Sequence, residues 1–306
     1  MAQKTGALSR EAQNEMLKKE RRANNAWHKL VRNRMAVVGL VIVTFVFLVA
    51  LLAPLLAPCD PNKISILEKF MGPGAVDKSG VTHLLGTDEF GRDLFSRLIY
   101  GAQISVVVAI GATAVGGLTG ILLGLIAGYK GGVVDSIIMR IMDGMFAFPF
   151  LLLAMIIMTV LGSGVQNVIL ALGISNVPSF ARMVRGQVHV VKNEEYCNAA
   201  RALGESDKRI LFRHILPNTI SPIIVYATMN MASAIISEAS LSFLGLGIMP
   251  PTASWGNMLM SANNLATLTG RPWQWVPAGA CILLAVLSIN FIGDGLRDAF
   301  DAKQKK

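Results

Sequence analysis

Residues 191–218 read VKNEEYCNAARALGESDKRILFRHILPN, a polar insert between two long apolar runs, and its reading decides how the chain is organised. Tyr196, Ala199, Ala200 and Leu203 recur at i, i+3, i+4 and i+7, which puts them on one face of a short helix. Gly204 follows where a left-handed residue commonly ends a helix. Ser206 is placed to cap a second short helix, with Asp207 favourable in its first turn. Leu216-Pro217 stops that helix, because proline lacks an N–H and restricts the residue before it. Two alanines beside a basic rim of Arg201, Lys208, Arg209 and Arg213 suit docking into a groove on another protein. A solvated basic loop is the alternative reading of the same residues.

The flanking runs are long enough to cross a bilayer, which takes about 20 apolar residues per helix. Asp143 and Arg182 enclose 38 residues without a formal charge, too many for one helix, and LGSG at 161–164 divides them into a hairpin of two spans. A fifth span runs from Pro217 to Gly247, interrupted only by Glu238. Towards the amino terminus, 25 uncharged residues lie between Arg34 and Asp60, and 32 between Arg97 and Lys130. Towards the carboxy terminus, 22 lie between Arg271 and Asp294. No strand-type alternation occurs, so the expectation is an all-α polytopic membrane protein of six transmembrane helices, not a β-barrel. The boundaries are a charged amino-terminal segment 1–34, a first helix 35–57, an external segment 58–97 with an interfacial helix, a five-helix core 98–296 containing the loop 187–218, and a tail 297–306.

Composition agrees. Of 306 residues 53% are hydrophobic and only 15% charged, with a mean hydropathy of +0.53, against about 25% charged in an average soluble domain. The net charge of +9 alone would suggest nucleic acid, but the charges crowd into short segments between uncharged runs, so the expected environment is a lipid bilayer and no nucleic-acid partner. Of the 28 Lys and Arg residues, 22 fall in the amino-terminal segment, the 130–140 loop, the 182–213 segment and the tail. By the positive-inside rule both termini are cytoplasmic. Cys59, Cys197 and Cys281 are isolated and the four histidines scattered, so neither disulfides nor metal ligands are expected. LAPLLAPC, ending at Cys59, looks like a lipoprotein cleavage site, but Pro58 and the long charged head make it an uncleaved first span. The head itself reads as a tether, with lipid or partner binding as the alternative.

Three further features carry weight. GTDEFGRD at 86–93 mimics a phosphate-binding loop, yet Arg92 and Asp93 stand where Lys and Ser/Thr are needed. The better reading is a turn in which Asp88 caps an external helix over about residues 90–100, leaving Asp88, Glu89 and Arg92 exposed. Gly116, Gly120, Gly124 and Gly128 repeat every four residues and form a small face for close helix packing, within the chain or against a sister subunit. Glu238 is an acid within an apolar span. It either lines a translocation path or serves as a hydrogen-bonded structural acid. With no nucleophile–base constellation, no catalytic residue is expected.

The 191–218 loop resembles the EAA loop of bacterial ABC importer permeases, carried by Ala199-Ala200, Gly204 and Leu216-Pro217. Asn198 replaces the usual Glu, with Glu195 one turn earlier, and His214 stands where Ile is usual. HLLGTDEFGRDLFSRLIYGAQIS (83–105), EASLSFLGLGIMPPTASWGNML (238–259) and GDGLRDAFD (293–301) resemble signatures of the dipeptide/oligopeptide/nickel permease family, C-type subunit. The resemblance implies the MetI-like permease fold in a bacterial inner membrane. It also implies a homologous B-type permease partner, two cytoplasmic ATPase subunits that bind the ATP and magnesium, and an external solute-binding protein, for which Asp88, Glu89 and Arg92 would be the candidate contact, with a purely structural turn as the alternative. Glu195, Tyr196, Ala199, Ala200, Arg201, Leu203, Gly204, Asp207, Leu216 and Pro217 would then form the ATPase-coupling site. Peptides are the implied cargo, with nickel or another small solute as the alternative. A self-sufficient ion-coupled transporter is the rival from another class, and Glu238 is the one clear intramembrane ionisable residue it could use.

Overall fold

A computed structural model describes residues 26–300. The head reading therefore lies outside the described residues except for α1 (Ala26–Arg32), and so does the tail beyond residue 300. The long helices are α2 (Arg34–Leu51), α4 (Leu94–Lys130), α7 (Val165–Val191), α10 (Leu216–Phe243) and α13 (Val276–Phe300). Between them stand α3 (Ala53–Leu56), α5 (Gly132–Phe146), α6 (Phe150–Leu161), α8 (Glu195–Ala202), α9 (Asp207–Arg209), α11 (Trp255–Leu259) and α12 (Leu265–Gly270).

The glycine seam explains the central packing. An ideal Cβ at Gly116 would lie 2.7 Å from the Gly173 carbonyl oxygen, and one at Gly124 2.5 Å from that of Ala181. Gly120 backs onto Phe180 and Gly128 onto Val188. Positions advance together on both helices, so α4 and α7 run parallel and fully in contact, a seam within one chain that only residues without a side chain permit. Parallel α4 and α7 require the chain to return across the membrane between them.

That return differs from the sequence expectation. The LGSG break falls where expected, with α6 ending at Gly162 and α7 starting at Val165. However, the third span is not one straight helix: α5 and α6 meet at 89°. Pro149, at the start of α6, lacks the N–H to continue α5 and disfavours helical geometry at Phe148. The supposed 130–140 loop is thus an amphipathic helix. Val133, Ile137 and Ile141 are exposed along one edge, while Asp135 pairs with Arg185 at 2.5 Å and Asp143 with Arg182 at 2.9 Å. At about 1.5 Å per residue α6 spans only ~18 Å, so the membrane-crossing set is five full helices plus this broken one.

Two more expectations are corrected. No separate interfacial helix occupies 90–100, because α4 starts at Leu94 and continues unbroken to Lys130. Its cap is Asp93, whose carboxylate accepts the Ser96 N–H at 2.7 Å, not Asp88. Secondly, Leu216-Pro217 does not stop a helix. Residues 207–243 form one continuous rod in which a π-helical turn, Ile210–Ile215, absorbs the proline's missing donor at the start of α10.

Candidate coupling and translocation sites

The loop at 191–218 builds a small, rigidly mounted helix. α8 ends in a Schellman closure: the Gly204 N–H donates to the Arg201 carbonyl and the Glu205 N–H to the Ala200 carbonyl, at 3.0 and 3.1 Å. Gly204 has φ +76°, the left-handed conformation the sequence required of it. The faces of α8 divide differently from the sequence reading. Tyr196, Ala199 and Leu203 point outward, with Leu203 85% and Tyr196 41% exposed. Ala200 turns inward with Cys197, and both pack among Leu125, Val188, Ile210 and Ile215. The helix closes onto its own chain through the Ala200 side because residues at i and i+3 with small volume let it approach the ends of α4 and α7. Burial raises the Cys197 thiol above its ordinary pKa, in keeping with a packing role and not a reactive one.

Polar contacts fix this mount. The Tyr129 hydroxyl, at the end of α4, donates to the Asp207 carboxylate at 2.7 Å. Lys192 donates to the Gly128 carbonyl at 2.9 Å. Arg201 bonds the Asn198 side chain at 2.9 Å and the Lys192 carbonyl at 3.2 Å, so Asn198 orients the arginine locally where the family pattern has Glu. Glu205 lies 2.9 Å from His214, which ties the turn to the π segment. Ser206 occupies the cap position of α9 without a side-chain capping bond, and Asp207 faces Tyr129 instead of serving only the helix dipole. Glu195 and Pro217 are exposed and Leu216 packs on the inner cluster. These contacts join α8 and its turn to α4, α7 and the continuous rod of α9 and α10.

Glu238 is fully buried in α10 and accepts the Ser242 hydroxyl at 2.8 Å, while Ser242 in turn accepts the Ile248 N–H at 3.0 Å. Gly256 of α11 packs against Ala239 and Ser242. Through Oε1 the carboxylate anchors the turn after α10, while its Oε2 is buried with no hydrogen-bond partner among the described residues. Deeper in the bundle Asn230 donates to Asn176 at 3.0 Å and lies 3.3 Å from Thr113, which joins α10, α7 and α4. Sequence reading missed this polar trio. Two asparagines inside apolar runs were the available signal, since a polar side chain within the bilayer needs a partner.

At the opposite end of α4, the 86–93 turn is closed on itself. Asp88 accepts the Phe90 and Arg92 N–H groups at 2.8 and 3.0 Å and the Arg92 guanidinium at 2.7 Å. Asp88 and Arg92 are therefore buried, contrary to expectation, and Glu89 alone of the three is exposed. Arg97, also missed, is buried between two loops, where it donates to the carbonyls of Pro61 and Pro251 at 3.0 and 3.1 Å. A cavity of about 430 Å³ opens here, bounded by Glu89, Arg92, Arg97, Asn257, Asn264 and Gln274.

Residues 120–306 match the family model described as "Binding-protein-dependent transport system inner membrane component", and residues 23–73 that of the "N-terminal TM domain of oligopeptide transport permease C". The chain is 44% identical over 280 residues to the dipeptide transport system permease protein DppC of Alkalihalophilus pseudofirmus, covering 92% of this chain and 90% of the relative. It is 42% identical over 281 residues to the di/tripeptide transport system permease protein DppC of Pseudomonas aeruginosa, covering 91% of each. It is also 42% identical over 280 residues to the glutathione transport system permease protein GsiD of Pectobacterium atrosepticum, covering 91% of this chain and 90% of that one. Among solved structures, inward-facing MetNI, a methionine ABC transporter, superposes with a TM-score of 0.55 at 18% identity over 67% of this chain and 97% of that one, a likeness of fold. The helical bundle, the mounted small-residue loop and these matches together place the chain in the family of binding-protein-dependent transport system inner membrane components, as a multi-pass ABC transporter permease.

Proposed function

We propose that this chain is one permease half of the membrane core of an ATP-driven importer of peptides in a bacterial inner membrane. A homologous permease completes the path, two ATPase subunits dock from the cytoplasm where both termini lie, and an external solute-binding protein delivers cargo. The observation that carries this reading is the outward face of α8, Tyr196, Ala199 and Leu203, mounted on α4, α7 and the 207–243 rod. An apolar residue as exposed as Leu203 beside the cationic Arg201, Lys208 and Arg209 suits a partner groove with an acidic rim. ATP-driven closure of the ATPase pair then pulls α8, and the rigid mount turns that pull into a change of access between the two membrane faces. ATP hydrolysis belongs to the ATPase subunits. Peptide cargo follows the relatives, which are named for the transport of dipeptides, di/tripeptides and glutathione.

On the opposite face, Glu89 and the rim of the 430 Å³ cavity are the contact offered to the binding protein, with Asp88 and Arg92 holding the turn in shape. The test is reconstitution of both permeases and both ATPases in liposomes, with the binding protein outside. ATP-dependent uptake of a labelled dipeptide is expected, and Glu89→Ala should weaken stimulation by the binding protein. Uptake that persists without the ATPases, driven by a proton gradient, would overturn the assignment.

A further inference from the structure

A 3₁₀ turn, a hairpin and the start of α4, all within residues 66–94, converge on His83. It lies on a two-stranded hairpin in which Ala75–Val76 pairs antiparallel with Thr82–His83. Its Nδ1 is 2.8 Å from the carboxylate of Asp93, the residue that caps α4. Its Nε2 is buried, makes no hydrogen bond among the described residues, and faces the Asp77 carboxylate at 3.8 Å. Glu68, from the 3₁₀ turn Ile66–Glu68, completes a group whose three ligand atoms, from Glu68, Asp77 and His83, all lie within 4.8 Å of one another. A cavity of about 170 Å³ adjoins them, and its wall carries four carboxylates, Asp60, Glu68, Asp77 and Asp93, against the single ammonium of Lys63.

A buried imidazole nitrogen left without a partner beside two carboxylates needs an explanation. If Nε2 carried a proton, a hydrogen bond of about 2.7–3.2 Å to Asp77 would be available, and forgoing it would leave a buried donor unsatisfied. The observed 3.8 Å is too long for that bond. It is close to the spacing of two ligands on one tetrahedral cation, about 3.4 Å when each bond is about 2.1 Å. The Asp93–Nδ1 bond meanwhile selects the tautomer with a proton on Nδ1 and a lone pair on Nε2, the arrangement by which an outer carboxylate orients a metal-binding histidine. We propose that His83 Nε2, Glu68 and Asp77 bind a divalent transition-metal cation of the zinc class at the end of α4 opposite the coupling helix, with Asp93 positioning the imidazole. The cation clips the hairpin and the 3₁₀ turn onto the start of α4 and stiffens the face that the binding protein would meet. One imidazole and two carboxylates suit Zn²⁺ with water as the fourth ligand, and no ligand here is a thiolate. Cys59 is near enough to His83 and Asp93 to form a rival set, which the test separates.

The test uses the full chain, purified in detergent and stripped with a chelator, titrated with Zn²⁺ against a chromophoric competitor and followed by thermal unfolding and zinc X-ray absorption. The expected result is one Zn²⁺ per chain, a rise in unfolding midpoint on saturation, and only nitrogen and oxygen neighbours around the metal. Glu68→Gln and Asp77→Asn should each weaken binding at least tenfold, while Cys59→Ser binds as the parent does. Glu68 is partly exposed on a short turn, so Glu68→Gln keeps the fold, which size-exclusion chromatography verifies. Absence of saturable binding by the monodisperse parent would overturn the proposal. So would unchanged affinity in both carboxylate variants, or sulfur in the first coordination sphere.

Discussion

Truncating Leu203 to alanine separates docking from folding, because the side chain is 85% exposed and no core cluster among the described residues includes it. Within this subunit, then, the substitution removes almost no packing, and the unfolding midpoint should not move. In a partner groove the same side chain would be fully buried. Burial of a leucine is worth about 1.5–3 kcal/mol, and alanine retains only a fraction of it. At about 1.4 kcal/mol per factor of ten, Leu203→Ala should weaken ATPase association by roughly 10- to 100-fold. The assay is equilibrium binding of purified ATPase subunits to the detergent-solubilised permease pair, with Tyr196→Ala as the second probe on the same face. Lost affinity at an unchanged midpoint supports the docking face. Affinities within about twofold of the parent for both variants would refute it, since two exposed apolar side chains on one helix face would then contribute nothing to the contact.

Ala200→Asp should destabilise the chain even without ATPase, because Ala200 packs among Ile210 and Ile215; a buried, unpaired carboxylate there costs several kcal/mol, roughly 3–5 by analogy with broken buried pairs, read as a fall in unfolding midpoint. Gly124→Ala and Gly186→Ala should have opposite signs: a methyl at 124 meets the Ala181 carbonyl oxygen at 2.5 Å and destabilises, by about 1–3 kcal/mol, whereas at 186 none of the described residues crowds the methyl within 4 Å and alanine is favoured by about 0.5–1 kcal/mol. Glu238→Gln keeps an acceptor for Ser242 and should leave the range of transported peptides unchanged, measured by competition uptake; an altered range would restore a path-lining role.

The helix count and the loop were legible because charge-free runs and small-residue spacing are one-dimensional signals. The glycine seam was legible for the same reason, and its partner in α7 follows from the matching four-residue advance at Gly173, Val177 and Ala181. What sequence reading lost depended on which side of a helix the rest of the chain would cover. Ala200 shares a face with Tyr196, Ala199 and Leu203 in sequence, yet the ends of α4 and α7 claim its edge of the helix together with Cys197. Asp88 and Arg92 read as surface charges until their i, i+4 pair closes and a neighbouring loop covers it. The proline that breaks the span at 149 was visible as a residue, but the place of α5 against α7 was not, because Asp135 and Asp143 pair with Arg185 and Arg182 about 40–50 positions away. The His83 cluster had no spacing signature because Glu68, Asp77, His83 and Asp93 come together only when the hairpin folds back on the start of α4.

The most direct measurement is protection of the outward face of α8 in an assembled importer. Leu203→Cys, placed on that face, is to be labelled with a membrane-impermeant maleimide in opened membranes and quantified by mass spectrometry, with and without the ATPase subunits and in each nucleotide state. Rapid labelling of the permease pair alone and strong protection once the ATPases bind are expected. Equal labelling with and without them, in every state, would contradict docking through α8.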